Sequence, residues 1–364
     1  MNTGALPQSG LDRWLDDPTR LWAGWAGLWS ARARTHTGMA LHGALRDAGR
    51  SVTALSLTQP IADTMTAMEG QLRSTIDRIR PAGILVDLPD IGLRTQPEGA
   101  WLTALLRVVS GSDLPILVLD RPNPLDGTGI EGPTVHPGFE NPMALPGLPL
   151  RHGLTPGERA RFTVREERLQ VNLDVLPCTG WRRDMDHTET ALPTHLPGRE
   201  VAPWIDALAV VPGATAWATF VQSDALCFGG PWPALAQLQA FVHKGADDAD
   251  VQGVTIEPCT FTPTDGPWTG RPCTGVQITS SLPSLVHTLK VGLVLLEAAL
   301  RVHASTGCPA PVPSMGTHHD LDLLLGSPEG RLGLAARVRT TELLDAWEPD
   351  IQRFRDDREA ALLY

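Results

Sequence analysis

Lysine is almost missing from this chain: among 30 basic residues only Lys244 and Lys290 are lysines, while 41 acidic residues bring the net charge to −11. The predominance of arginine fits the Ala, Gly, Pro and Arg bias of a GC-rich genome. A pI near 5.4 leaves no basic surplus. Nucleic acids and anionic membranes reward a basic face, so neither is expected as a partner. The five cysteines, Cys178, Cys227, Cys259, Cys273 and Cys308, include no C-x-x-C spacing, so neither a zinc centre nor a disulfide framework is predicted. The first 20 residues hold Asp12, Asp16 and Asp17 instead of a charged start followed by an apolar stretch. No secretory signal is read there, and the expected location is the cytoplasm. The longest apolar helix candidate, Leu285 to Val302, is interrupted by His287, Lys290 and Glu297, as suits a packed helix and not a membrane span. No G-x-G-x-x-G follows the first predicted strand, which removes support for a dinucleotide enzyme, and no cofactor is expected. Internal repeats and low-complexity tracts are also lacking.

What is present is a globular composition, 42% hydrophobic and 20% charged, in 364 residues, enough for two domains with a core each. The amino-terminal part alternates helix and strand. An amphipathic helix is predicted over Leu11 to Trp25, a strand over Gly27 to Ser30, a turn at Thr35-His36-Thr37-Gly38 and a helix over Met39 to Ala48. A strand over Val52 to Leu57 and a helix over Met65 to Ile79 follow. Two buried-strand patterns, Ile84-Leu85-Val86 and Ile116 to Leu119, each run directly into a carboxylate-bearing loop, with helical periodicity between them. This is the pattern of a parallel α/β sheet, whose ligands gather outside the carboxyl ends of its strands. Trp22, Trp25 and Trp29 read as packing residues.

From Pro133 to Pro149 the chain is rich in Pro and Gly and reads as a long surface loop. Three prolines within Leu192 to Pro203 mark a boundary before a strand predicted at Ala207 to Val211. The expected domains are therefore 1–205, a Rossmann-like domain with a mostly parallel sheet, and 206–364, a smaller α/β domain, with a cleft between them. In the second domain Thr274 to Ser280 alternates as a strand, while Pro283 to His303 and Thr340 to Arg358 read as helices.

Several residues in the strand-end loops carry usable chemistry. Asp87 and Asp90 stand where they can meet a ligand or satisfy loop amides and cap the next helix. In Asp120-Arg121-Pro122-Asn123-Pro124 the prolines fix the loop, and Asp120 and Arg121 are placed for ligand contact or for a mutual ion pair. Arg151 and His152 follow an extended run, and the Arg fork suits a carboxylate. Thr317-His318-His319-Asp320 looks metal-like, but adjacent strand histidines point to opposite faces, so no metal site is read.

A set of motifs in fixed order resembles the NamZ-like exo-β-N-acetylmuramidases, bacterial glycoside hydrolases long known only as a domain of unknown function. These motifs are Thr35 to Gly38, Asp87 to Arg94, Asp120 to Pro124 followed by Glu131-Gly132-Pro133, Leu150 to Gly153 with Thr155 and Gly157-Glu158, and Gly180 to Met185. Phe261 to Thr264, Cys273 with Gly275 to Ile278, and Leu362-Leu363-Tyr364 continue it, so the likeness spans nearly the whole chain. The resemblance implies a terminal N-acetylmuramic acid of peptidoglycan fragments as the small-molecule ligand. It also implies Asp87, Asp90 and Asp224 as candidate catalytic carboxylates, with His36, Arg94, Asp120, Arg121, Asn123, Glu131, Arg151 and His152 as candidate sugar contacts.

The chain departs from that family at three elements that the resemblance places in the cleft. Where the family carries Ser-Pro-Glu-His-Gly, this sequence has Ser56-Leu57-Thr58-Gln59-Pro60; Arg94 is followed by Thr95-Gln96-Pro97-Glu98 in place of Phe-Tyr-Thr-Tyr; and Ala218 to Leu226 keeps only a Ser-acid pair, Ser223-Asp224. Glycoside hydrolysis needs a proton donor and a second carboxylate or equivalent group, and neither Thr58 nor Gln59 is an acid. Unless Asp87, Asp90, Glu98 or Asp224 takes over, hydrolysis is weakened or lost. Two readings follow: a divergent muramidase, or a non-catalytic relative that binds an amino sugar, a muropeptide or a partner protein.

Overall fold

The apolar runs at Ile84 and Ile116 become neighbouring parallel strands, and the acids that follow them share one sheet edge. The computed structural model describes residues 7–17, 24–49, 52–55, 64–190, 192–193, 201–311 and 320–364. Thr58, Gln59, Trp22, Thr317, His318 and His319 lie outside the described residues. One compact unit comprises Met1–Ile130, Asn141–Gly198 and Phe354–Tyr364; the other comprises Glu131–Glu140 and Arg199–Arg353. Neither unit is a single stretch of sequence, unlike the expected 1–205 and 206–364.

In the first unit α1 (Gly10–Asp16) and β1 (Trp25–Trp29) precede α2 (Leu41–Asp47), β2 (Thr53–Ala54), α3 (Met65–Ile79) and β3 (Gly83–Asp87). Then come α4 (Pro97–Val109), β4 (Ile116–Leu119), α5 (Pro156–Glu166), β5 (Leu173–Leu176) and the single turn α6 (His187–Thr190). The five strands lie in the order β2-β1-β3-β4-β5, all parallel. Because side chains alternate across a strand, Ile84 and Val86 enter one core with Leu102 and Leu105 of α4, while Leu85 enters another with Leu11 of α1 and Leu41 of α2. Burial on both faces explains why β3 and β4 read as unbroken apolar runs. Capping boxes Ser9/Asp12 and Thr155/Glu158 start α1 and α5.

The second unit contains α7 (Pro203–Leu208), α8 (Val210–Gly213), β6 (Ala218–Val221), β7 (Ala225–Gly230), α9 (Leu235–Asp248), β8 (Thr255–Phe261) and β9 (Cys273–Thr279). The helices α10 (Thr288–Thr306), α11 (Asp320–Leu325), α12 (Glu329–Ala335) and α13 (Thr340–Arg358) follow, α13 ending in the first unit's segment. Its sheet is antiparallel, ordered β6-β7-β9-β8. The strand predicted at Ala207 to Val211 is instead α7 running into α8. Pro203 at the first helical position opens a helix, and a short apolar run does not by itself distinguish a strand from a buried helix. Among the described residues no helix is long and apolar enough to cross a membrane.

Candidate functional site

Strand order reverses direction at β1 and β3, since the chain builds β2 to one side of β1 and β3, β4 and β5 to the other. In an open parallel sheet this switch point holds the ligand crevice, outside the strands' carboxyl ends. A recess of about 30 Å³ lies at this edge, lined by Arg32 from the loop after β1, Asp90 from the loop after β3, and Arg121 from the loop after β4. Its volume is about that of one water molecule. Only the tip of a ligand group fits inside.

Asp90 is 6% exposed. Its Oδ1 accepts from the Gly92 amide at 2.6 Å and its Oδ2 from Arg159 Nη1 at 3.2 Å. Burial pushes its carboxyl above the ordinary aspartate value despite Arg159 and that amide, which pull the other way. Glu98, in the first turn of α4, is buried and likewise raised, first by desolvation and further by the charge of Asp90, against the pull of Arg32. Arg32 itself donates to Gln96 Oε1 at 2.7 Å.

The other strand-end acids are occupied. Arg121 donates two bonds to Asp87, and so the expected Asp120–Arg121 ion pair does not form. Asp120 instead accepts from the amides of Arg121 (2.9 Å) and Gly157 (2.7 Å) and from the hydroxyls of Thr155 (2.8 Å) and Tyr364 (2.7 Å). It is fully buried, and desolvation raises its pKa to about 7 although those bonds oppose the rise.

Most of the predicted sugar contacts serve the same internal frame. Arg94 is fully buried, donates to the Leu148 carbonyl at 2.7 Å, and is lowered by burial to about 9. Asn123 spans Leu154 O (3.2 Å) and Leu125 N (3.0 Å), and its amide packs on Gly92, where a Cβ would come within 2.2 Å. Arg151, 6% exposed, pairs with Asp126 at 2.8 Å. His152 is fully buried, and its pKa is pushed well down by desolvation and by Arg159, Arg358, Arg94 and Arg151, so it stays neutral. His36 is 63% exposed, with Nδ1 2.9 Å from Asp12 Oδ1. Burial raises Asp12, but bonds from Ser9 and His36 outweigh it and leave the carboxyl lowered.

Two candidates belong to the second unit. Glu131 caps α10: Oε2 accepts from the Leu289 amide at 2.8 Å and the Thr288 hydroxyl at 3.0 Å, and lies 3.1 Å from His287 Nδ1. Asp224 is exposed at the β6–β7 turn, with the Ser223 hydroxyl 3.3 Å away. Among the described residues no cluster of His, Cys, Asp or Glu is arranged to hold a metal ion.

Arg32 and Arg159 were not singled out in the sequence. Arg32 follows the first strand and would be found by asking what faces the β1/β3 switch point, but that requires strand order. Arg159 lies in α5, directly after the Gly157-Glu158 motif and the capping box that starts the helix.

Comparison with known proteins agrees with this architecture. Residues 61–202 match the family profile described as Exo-beta-N-acetylmuramidase NamZ, N-terminal, and residues 226–364 match NamZ, C-terminal. A Bacillus subtilis (strain 168) protein named Peptidoglycan beta-N-acetylmuramidase NamZ is 25% identical over 288 residues, covering 77% of this chain and 67% of that protein. Two crystal structures of DUF1343 family proteins from Bacteroides fragilis NCTC 9343 share the fold at 18% identity. One has a TM-score of 0.80 over 98% of this chain and 99% of its own, the other 0.68 over 99% of each. The two profiles leave only residues 203–225 between them from residue 61 to the last, and the chain belongs to the NamZ exo-β-N-acetylmuramidase family.

Proposed function

We propose that this protein is a peptidoglycan-directed β-N-acetylmuramidase of slow turnover, which takes the terminal N-acetylmuramic acid of peptidoglycan fragments and presents Asp90 to it. The observation that carries this reading is the position of Asp90: all three strand-end acids accept internal bonds, but Asp90 alone among them lines the recess at the switch point. Arg32 lines the same recess and suits the lactyl carboxylate of a muramic sugar, whereas the fork of Arg121 is taken by Asp87. Slow turnover follows from Thr58 and Gln59 at the place of the family's acid and histidine, a loss worth about 10²- to 10⁴-fold in rate. The named relative in Bacillus subtilis supports the substrate class.

Release of N-acetylmuramic acid from a chromogenic β-muramide, together with equilibrium binding of the free sugar, tests this. The expected result is measurable binding with turnover about 10²- to 10⁴-fold below an intact family member, abolished by Asp90→Asn. Absence of both binding and turnover refutes the reading. Binding without turnover supports the second reading, a non-catalytic amino-sugar binder, which the burial of the candidate catalytic carboxylate Asp87 favours.

A further inference from the structure

Asp90, which lines the recess, and Glu98, which interacts with it by charge, are solvated unequally by the protein. Both oxygens of Asp90 have a donor, Gly92 N–H on Oδ1 and Arg159 Nη1 on Oδ2. Glu98 receives the side chain of Ser30 and its own amide, but Oε2 is buried with no partner. Their surroundings are shared. Arg32 faces both, and the Arg159 guanidinium lies against Gly99, the residue after Glu98, where an added Cβ would meet Nη1 at 1.8 Å. Arg159 Nε and Nη2 and Arg32 Nε are also buried without partners, so four of the nine unpartnered buried side-chain atoms found among the described residues gather here. Such groups in a folded protein call for a specific explanation.

Donors to both oxygens favour a carboxylate, whereas a bare, desolvated oxygen favours the neutral acid. Two carboxyls in one dry site divide a proton between them, and the environment decides which keeps it. We propose that Asp90 and Glu98 work as one carboxyl pair beside the recess, Asp90 ionised against Arg159 and Glu98 holding the proton. Resting on Asp90 as the sugar-facing group of the proposed function, this makes Glu98 a positioning residue. While neutral, it leaves Arg159 and Arg32 to Asp90 and the ligand; once ionised, it competes for both cations and adds repulsion toward an anionic sugar. The groups facing the pair are Ser30 and Arg32 after β1 and Arg159 on α5, with His152 behind Arg159 at 3.5 Å. Burial raises both carboxyls; at Glu98 the charge of Asp90 adds to the rise against the pull of Arg32, while at Asp90 both Arg159 and the Gly92 amide oppose it.

Carbon-13 NMR of the side-chain carboxyls in the full chain, followed through the acid and neutral range, tests the pair. Glu98 is expected to titrate above the ordinary glutamate value of about 4.3 and to fall by about one pH unit in Asp90→Asn. Ser30→Ala, a gentler change outside the core, is expected to raise it further. N-acetylmuramic acid binding by the native protein should weaken at least about fivefold as pH rises through the Glu98 midpoint, the neutral state being the competent one; in Glu98→Gln it should stay flat over that range. A Glu98 that titrates with the exposed glutamates and ignores both Asp90→Asn and Ser30→Ala overturns the proposal. Coupled titration in a protein that neither binds nor cleaves muramides overturns the proposed function and leaves the pair standing, while turnover with independent carboxyls does the reverse.

Discussion

Arg121 grips Asp87 through two parallel bonds, Nε to Oδ1 at 2.6 Å and Nη2 to Oδ2 at 2.8 Å, with side-chain exposures of 5% and 0%. The pair fastens the loop after β4 to the end of β3. Removing one partner leaves a buried charge uncompensated, so Asp87→Ala is expected to destabilise the protein by about 3–5 kcal/mol. Urea unfolding measures this. The double change Asp87→Leu with Arg121→Met should recover most of the loss, because a packed apolar pair carries no desolvation penalty.

Asp120 gives the stability a pH dependence. Its folded pKa, about 7, lies above the ordinary carboxyl value, so the folded state binds this proton more tightly than the unfolded chain does. The corresponding stabilisation is complete below about pH 4 and is lost as pH rises toward 7. Asp120→Asn removes that slope. Unfolding free energies measured at pH 5 and pH 8 should therefore differ less in the variant than in the native protein, by on the order of 2 kcal/mol.

Glu131 is expected to act through α10. Its carboxylate satisfies the Leu289 amide and the Thr288 hydroxyl at the start of that helix. Glu131→Ala should lower stability by about 1–2 kcal/mol while leaving N-acetylmuramic acid affinity unchanged. A loss of affinity with stability intact would make Glu131 a ligand contact instead.

Gly99→Ala is expected to dislodge Arg159, since the new methyl would stand 1.8 Å from its Nη1 and the helix backbone cannot retreat. Overpacking of this kind costs about 1–3 kcal/mol. The effect should reach Asp90 through the displaced guanidinium, so muramide turnover should fall together with the thermal midpoint. A fully active Gly99→Ala protein would show that Arg159 is not needed at Asp90.

The sequence alone determined the repeated strand-helix pattern and the acids at the strand ends. It also placed α3 and α13 at Met65–Ile79 and Thr340–Arg358, the bounds the structure shows, because long periodic runs specify helix strongly. The ordered motifs identified the family. Tertiary structure alone decided which acids are available. Arg121 turns away from its chain neighbour Asp120 toward Asp87, 34 residues earlier in the chain. Asp120 is claimed by Tyr364, which lies 244 residues further along the chain. The same local spelling, a carboxylate after an apolar strand, thus yields a buried tie at Asp87 and Asp120 and a recess-lining group at Asp90. Strand order, which brings Arg32 beside Asp90, and the identity of each carboxyl's donors are set by long-range packing, to which no short stretch of sequence has access.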